Sequence, residues 1–374
     1  MANIYLDYAA TSRKHFDIIE KSLNILKEVY ANPSSSHTLG KKNEKLFREA
    51  REKIAKSICA KPEEIIFTSG GTESNNTVFN HVLNRFADGE IIISSIEHPS
   101  VKSSVKHLEK YGFIVHELSV DKTGIIDLEE LRQKINDKTV LVSVMLANNE
   151  TGMINPLKEI SEIIKGKSIL LHSDIVQAFG KVEIDVSDLN LDFASVSAHK
   201  IGALNNFGFL YAKNGEVEPF ILGGGQERSL RSGTRDLFGT LVLADRIDET
   251  LKSISKLREL KNYFLDKLEE NQVEFEINGL KDNSLPNIMN IYFKKIESQR
   301  LITYLDSLNI YISGGSACSS GNIKGSRIIT EMYDIERASH SVRISIGFDI
   351  TKEDLNFVID KIVRLENRLK ERDN

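Results

Sequence analysis

The regular alternation of strand-like and helix-like segments constrains the fold of this chain more than any other feature. From about residue 41 to 240, short apolar runs alternate with stretches of helical spacing, as in residues 41–60 through Leu46, Ala50, Ile54 and Ile58. The run 139–146 is rich in valine and apolar on both faces, which is typical of a parallel sheet covered by helices on both sides. The alternation predicts an α/β fold with a large, doubly wound, mostly parallel sheet.

A second, smaller lobe is predicted after this alternation ends. A helical pattern covers residues 241–270, and it is followed by strands at 273–277 and 287–293, a helix at 298–308, a strand at 341–346 and a final helix from Thr351. This order is typical of an α+β unit. A chain of 374 residues is long enough for two lobes.

A lysine at a strand end is the first candidate for chemistry. The apolar run 193–196 leads into Ser197, His199 and Lys200. A lysine beside two possible phosphate ligands suits the covalent binding of a phosphate-bearing aldehyde, pyridoxal phosphate. The alternative is an ordinary solvated His-Lys pair, which is the more common case for such a segment taken alone.

Two further segments supply matching partners for that lysine. Residues 169–173 form an apolar run that ends in Asp174, and a carboxylate there can keep the ring nitrogen of pyridoxal phosphate protonated. Gln177 follows closely and could donate to the ring oxygen. A strand at 64–68 runs into Gly70, Gly71 and Thr72 at the start of a helix, which is a ready anion site. Each segment alone could be a plain connection, but the three together favour one site.

These segments and several others resemble the class V aminotransferase-like group of pyridoxal phosphate enzymes, and most closely the cysteine desulfurases. The resemblance runs nearly end to end. It rests on Tyr5-Leu6-Asp7-Tyr8-Ala9-Ala10-Thr11, Ala31-Asn32-Pro33-Ser34-Ser35, Thr68-Ser69-Gly70-Gly71-Thr72-Glu73-Ser74, Glu97-His98, Asn148-Asn149-Glu150-Thr151-Gly152, Asp174 with Gln177, Ser197 with His199 and Lys200, Gly223-Gly224-Gly225-Gln226-Glu227, Arg231-Ser232-Gly233-Thr234, Gly315-Ser316-Ala317-Cys318-Ser319-Ser320-Gly321 and Ser341-Val342-Arg343.

The resemblance implies fold type I, with the large cofactor-binding domain at residues 13–255 and a small domain formed by 1–12 and 256–374. It also implies pyridoxal 5'-phosphate as cofactor, L-cysteine as substrate and L-alanine as product. For the cofactor ring, the resemblance implies that Lys200 binds the aldehyde, Asp174 pairs with the ring nitrogen and Gln177 contacts the ring hydroxyl, while His98 stacks on the ring and moves protons and Asn149 supports the ring. The residues implied to hold the phosphate are Gly71, Thr72, Ser197 and His199, together with Thr234 of a second subunit. For the substrate, it implies that Asn32 and Arg343 bind the carboxylate and that Cys318 accepts sulfur.

The Ser-Ala-Cys loop is the most specific of these motifs, because it separates desulfurases from relatives that lack a cysteine there. The segment 313–321 is small, polar and rich in glycine, a composition that we expect to give a mobile loop. The other cysteine, Cys59, follows Ile58 on an apolar helical face, and we expect it to pack in the core. One departure concerns residues 201–208, where the family commonly has a Gly-Pro turn with a second basic residue.

The composition of the chain argues against several other classes of protein. Apolar residues make up 40% of the chain and charged residues 28%, and the net charge of −5 is interspersed, so neither a nucleic-acid surface nor a membrane surface is indicated. We see no leader and no apolar run of membrane-spanning length, and two distant cysteines give neither a disulfide framework nor a metal pair. We therefore expect a cytoplasmic protein without bound metal.

Two alternatives to a desulfurase stay open. The first is another class V enzyme, a selenocysteine lyase or an aminotransferase, and the second is an inactive relative that serves only as a scaffold for sulfur transfer. The resemblance implies a homodimer, because Thr234 would complete the site of the second subunit. It also implies a sulfur-acceptor protein, either an iron–sulfur scaffold or a tRNA or cofactor thiolation enzyme, which the sequence does not identify.

Overall fold

The computed structural model of the chain describes residues 3–315 and 325–373. Its strands are β1 Ile4–Tyr5, β2 Ile65–Thr68, β3 Glu90–Ser94, β4 Ile114–Leu118, β5 Thr139–Ser143, β6 Leu170–Asp174, β7 Phe193–Ser197, β8 Gly208–Ala212, β9 Phe275–Ile277, β10 Ile288–Phe293, β11 Ile310–Tyr311 and β12 Ser341–Ser345. Its α-helices are α1 Phe16–Glu28, α2 Thr38–Lys56, α3 Gly71–Arg85, α4 Pro99–Leu108, α5 Leu128–Lys134, α6 Leu157–Ile164, α7 Leu237–Glu270, α8 Ser298–Asp306, α9 Arg327–Met332, α10 Ile335–Ser339 and α11 Lys352–Asp373.

The large sheet has seven strands in the order β2-β8-β7-β6-β5-β3-β4. Strands β7, β6, β5, β3 and β4 are parallel to one another, and β8 runs antiparallel to both β7 and β2. Every residue of β5 and β7 is buried, as expected for strands with helices on both faces. The predicted α/β class with a mostly parallel sheet is confirmed.

A smaller α+β unit follows, with its own apolar core. Strands β12, β10 and β9 form an antiparallel sheet, and β1 pairs in parallel with β11. Ile4, Leu6 and Tyr8 from the start of the chain pack in this second core. Helix α7 joins the two cores, since its first half packs in the large one and its second half, from Leu257, in the small one. The boundary predicted after residue 255 falls inside this unbroken helix and stays a prediction.

The expectation that Cys59 packs in the core is wrong. Helix α2 ends at Lys56, three residues before this cysteine. Cys59 then adopts a left-handed backbone conformation, with φ 57°, and its side chain is exposed. The apolar periodicity of residues 41–60 predicts a helix that continues one turn beyond its end at Lys56, and in this last turn only Ile58 is buried.

A buried ion pair ties α2 to the segment that follows β8. Arg51 and Glu227 lie 2.5 Å apart, and both side chains are buried. Glu227 also accepts a hydrogen bond from the backbone N–H of Phe67 at 3.1 Å, so one carboxylate links the helix, the sheet and the segment near Thr234. Removing one partner of such a pair leaves the other charge buried without compensation.

We expect Glu227→Gln to lower the free energy of unfolding by about 3 kcal/mol, because Arg51 would then be buried opposite a neutral amide. Urea unfolding followed by circular dichroism measures the loss. Glu49→Gln is the matched control, since Glu49 pairs with Lys45 at 3.8 Å on the exposed face of the same helix. That substitution should change stability by less than about 0.5 kcal/mol. Equal losses in the two variants would contradict the importance assigned to the buried pair.

Candidate active site

A cavity of about 600 Å³ opens at the carboxyl edge of the large sheet. Parallel strands bring the residues that follow them to the same edge, which is where ligands bind in open α/β sheets. Of the residues predicted from the sequence, those lining this cavity are Gly71, Thr72, His98, Asn149, Asp174, Gln177, Ser197, His199, Lys200 and Arg343. Its volume lies in the range of pockets that enclose a small-molecule cofactor.

Two predicted residues of the described ranges do not line this cavity, and a third lies outside those ranges. Asn32 and Thr234 are exposed and line a separate cavity of about 270 Å³. Thr234 was expected to serve a second subunit, so its exposure fits that expectation, whereas Asn32 does not meet Arg343 within one chain. Cys318 lies outside the described residues. The roles assigned to all three stay predictions.

Lys200 lies in a short turn directly after β7. Its Nζ donates to the backbone carbonyl oxygens of Ala9 at 2.7 Å and Ala10 at 2.8 Å, which belong to the first segment of the chain. The turn closes at Gly202, where φ is 82° and an added Cβ would lie 2.7 Å from the carbonyl oxygen of Arg13. Asn205 and Asn206, from the segment in which the sequence departs from its family, also line the cavity.

The start of α3 forms the anion-binding end of the cavity. Gly70 has φ 134° and precedes the helix without a capping side chain. The first backbone N–H groups of a helix have no intrahelical acceptor, and they carry the positive end of the helix dipole. An added Cβ at Gly71 would lie 2.7 Å from Val176 Cγ2, so this close packing requires glycine. The hydroxyl of Ser197 lies beside the same turn. A Cβ added at Gly70 would come within 3.1 Å of Ser197 Oγ.

His199 lies beside this anion site. Its Nδ1 is 3.1 Å from Thr11 Oγ1. Burial, together with the ammonium groups of Lys200, Lys14 and Lys181, lowers the pKa of His199 to about 4. The ring is therefore neutral near pH 7 and can act as a hydrogen-bond donor.

A chain of hydrogen bonds fixes Asp174 and His98 relative to each other. Asn75 Nδ2 donates to Asp174 Oδ2 at 2.9 Å and to Ser100 Oγ at 2.8 Å. His98 caps α4, since its Nδ1 accepts from the backbone N–H of Ser100 at 3.1 Å. This bond leaves the proton of the neutral ring on Nε2. Burial lowers the pKa of His98, and Asp174 only partly opposes this. Asn75 and Ser100 are not among the site residues predicted from the sequence, although Asn75 follows Gly71 by one helical turn.

Arg343 lies in the middle of β12, between the two lobes. Its guanidinium pairs with Asp7 at 2.7 Å and donates to the backbone carbonyl of Asn149 at 2.9 Å. Its Nε is buried and has no hydrogen-bond partner within residues 3–315 and 325–373. Asp7 and the carbonyl of Asn149 therefore hold the planar group at the cavity wall, where it can bind a carboxylate through paired hydrogen bonds.

Glu97, the neighbour of His98, is a buried carboxylic acid. Its Oε1 accepts from Ser94 Oγ at 2.6 Å and from the backbone N–H of Met145 at 2.7 Å. Its Oε2 is buried and has no hydrogen-bond partner within the described ranges. Burial raises the pKa of Glu97 from 4.5 to about 8. The group is therefore mostly protonated at neutral pH.

Glu97→Gln is expected to remove one pH dependence of stability. Because the pKa of Glu97 is higher in the folded than in the unfolded chain, its contribution is fully present below pH 4.5 and is lost as the pH rises towards 8. Glutamine imitates the protonated acid at every pH. The free energy of unfolding of the variant, relative to that of the unsubstituted protein, should rise by up to about 1.4 kcal/mol per pH unit between pH 5 and 8. Urea midpoints measured across this range test it, and a constant difference would contradict the raised pKa.

The mostly parallel sheet, the lysine directly after β7 and the aspartate at the end of β6 define the class of fold type I pyridoxal phosphate enzymes. The family model described as Aminotransferase class-V matches residues 4–358. The chain belongs to this family.

Curated relatives match over almost the full length. The chain is similar to cysteine desulfurase IscS of Dictyoglomus turgidum, with 39% identity over 375 residues, which cover 98% of this chain and 95% of the relative. It is also similar to putative cysteine desulfurase IscS 1 of Bacillus subtilis, with 37% identity, covering 99% of this chain and 100% of the relative.

Solved structures with the same fold also match over almost the whole chain. A NifS-like protein superposes with a TM-score of 0.89 and 32% identity, covering 97% of this chain and 99% of the other. A structure described as SspA in complex with cysteine superposes with a TM-score of 0.82 and 31% identity, covering 92% and 98%. None of the helices in the described part of the chain is long and apolar enough to cross a membrane.

Proposed function

We propose that this protein is a pyridoxal phosphate-dependent cysteine desulfurase, which converts L-cysteine to L-alanine and transfers the sulfur to Cys318 as a persulfide. The observation that carries the proposal is that Lys200, Asp174 and the start of α3 line one cavity together with Arg343. Relatives with 37–39% identity over nearly the whole chain are named cysteine desulfurases, which supports the same activity.

The residues of the cavity fit pyridoxal 5'-phosphate at both ends. The close packing at Gly71 and the uncapped start of α3 suit the phosphate, which Thr72, Ser197 and His199 would also bind. Asp174 would hold the ring nitrogen, with Gln177 on the ring oxygen, His98 on the ring face, Asn149 nearby and Lys200 on the aldehyde. When bound, the cofactor supplies an electron sink for negative charge at the substrate α-carbon.

Residues of the chain would bind the substrate, move the proton and accept the sulfur. Arg343 binds the substrate carboxylate, and the Lys200 amine, with His98, moves the proton at the α-carbon. The Cys318 thiolate forms an S–S bond with the substrate sulfur while the substrate C–S bond breaks. A persulfide stays on Cys318, and protonation of the remaining fragment gives alanine.

The subunit and partner arrangement is part of the proposal. Thr234 would complete the phosphate site of a second subunit in a homodimer, and its exposure in the single chain supports this. Asn32 lines the same separate cavity, although its contact with the substrate carboxylate has no support from the single chain. The persulfide would pass to an acceptor protein of iron–sulfur assembly or of tRNA or cofactor thiolation.

Three product assays on the purified protein test the activity. With L-cysteine we expect equal amounts of alanine and protein-bound or released sulfur. Selenide from selenocysteine without alanine from cysteine would favour a selenocysteine lyase, and keto-acid formation would favour an aminotransferase. A colourless protein without any of these products would indicate an inactive scaffold.

A further inference from the structure

We propose that Lys181 is a positioning residue, which holds the side-chain amide of Gln177 with its NH2 group towards the cofactor. The inference rests on the proposed function and extends it to a residue that does not line the cavity. Lys181 is buried, with an exposed fraction of 4%, behind the cavity wall that Gln177 forms.

Two hydrogen bonds fix the orientation of the Gln177 amide. Lys181 Nζ donates to Gln177 Oε1 at 3.1 Å, and Gln177 Nε2 donates to the carbonyl oxygen of Ala9 at 2.9 Å. An ammonium group can only donate and a carbonyl can only accept, so with Lys181 protonated a flipped amide would lose both bonds. The NH2 group has a second hydrogen, which can donate to an anionic ring oxygen in the cavity.

The backbone after β6 makes this geometry rigid. Residues 175–182 form consecutive turns, with Phe179 N–H bound to the carbonyl of Ile175 at 2.8 Å and Lys181 N–H bound to the carbonyl of Ala178 at 2.9 Å. At Gly180, with φ 72°, an added Cβ would lie 3.0 Å from side-chain carbons of Ile201 and Thr250. The turn therefore packs closely against Ile201 and Thr250 at this glycine, and the Lys181 side chain reaches back to the amide.

The electrostatics of Lys181 support a role beyond packing. No carboxylate pairs with it among the described residues. Burial, with Lys200 and Arg343 nearby, lowers the pKa of Lys181 to about 7. A neutral amine still donates N–H bonds, and the carbonyl of Ala9 requires the NH2 group in either protonation state, so the amide orientation is the same in both. A buried lysine without a counter-ion costs stability, which is expected where the group serves a site.

The test compares Lys181→Met, Gln177→Ala and the double variant. The readouts are the dissociation constant of pyridoxal 5'-phosphate added to apo-protein and the pH midpoint of the bound cofactor's absorbance change. Each single variant should weaken cofactor binding by roughly tenfold and raise the midpoint. The double variant should be no weaker than Gln177→Ala, because Lys181 acts through that amide. Independent effects that multiply to roughly a hundredfold would overturn the proposal.

Lys261→Met is the matched control. Lys261 is equally buried, at 4% exposed, and donates to Ser284 Oγ at 2.6 Å and to the carbonyl of Leu285 at 3.0 Å, among residues that do not line the cavity. This substitution should lower the thermal midpoint but leave cofactor affinity and the absorbance midpoint unchanged. Equal cofactor effects in Lys261→Met and Lys181→Met would reduce Lys181 to a packing residue.

Gln177→Glu tests the orientation without changing Lys181, in case Lys181→Met does not fold. Lys181 would still pair with one carboxylate oxygen, and the other oxygen would face the ring oxygen as an acceptor. We expect weaker cofactor binding than in Gln177→Ala, and affinity equal to that of the unsubstituted protein would overturn the inference. If the unsubstituted protein binds no pyridoxal phosphate, the proposed function fails instead.

Discussion

Lys200→Ala is expected to abolish cysteine turnover and the visible absorbance of the lysine-bound cofactor. The substitution removes both the covalent attachment point and the amine that moves the α-proton, and a loss of about 10²- to 10⁴-fold in rate follows from the second role alone. Absorbance spectra of the purified protein and alanine release from cysteine measure the two losses. Borohydride reduction followed by peptide mapping should label Lys200 in the unsubstituted protein.

Lys213→Ala is the control for this experiment. Lys213 directly follows β8, which is antiparallel to β7, so it lies at the opposite edge of the sheet from Lys200. It donates to Asn190 Oδ1 at 3.0 Å, and its replacement should leave colour and turnover intact. A borohydride label on any other lysine, or a coloured and active Lys200→Ala protein, would remove the basis of the proposed mechanism.

The fold could be predicted from the sequence because its signal is local. Strands buried on both faces are mostly apolar, as β5 is in its centre, and they must alternate with helices if they are to run in parallel. The same topology explains why the cavity residues could be selected from the sequence. Thr72, Asp174 and Lys200 each lie at or shortly after the end of a strand, and parallel strands bring these positions to one edge.

The contacts that orient those residues were not predictable in the same way. Asn75 and Asp174 are 99 residues apart, and Arg343 and Asp7 are 336 apart. Such pairs leave no periodic pattern, and a polar residue on a helix usually faces solvent. The position of Cys59 failed for a related reason, because apolar periodicity does not show where a helix ends. The role predicted for Thr234 involves a second subunit, which the residue pattern of one chain does not describe.

Cys318→Ala is expected to separate cofactor binding from sulfur transfer. The substitution leaves Lys200, Asp174 and the α3 start unchanged, so the protein should keep its colour and its affinity for pyridoxal phosphate. It removes the proposed nucleophile, and persulfide and alanine formation from cysteine should fall by roughly 100-fold or more. Persulfide labelling with a thiol-reactive probe and alanine quantification measure the effect.

The chain supplies its own control for this experiment, since its other cysteine is Cys59. Cys59 is exposed, but partial desolvation of its thiol and the carboxylate of Asp185 raise its pKa, which makes it a poorer nucleophile at neutral pH. Cys59→Ala should therefore keep full turnover and full persulfide formation. If Cys318→Ala instead released alanine at the normal rate, sulfur would leave the substrate without a protein nucleophile, and lyase chemistry would replace the desulfurase mechanism.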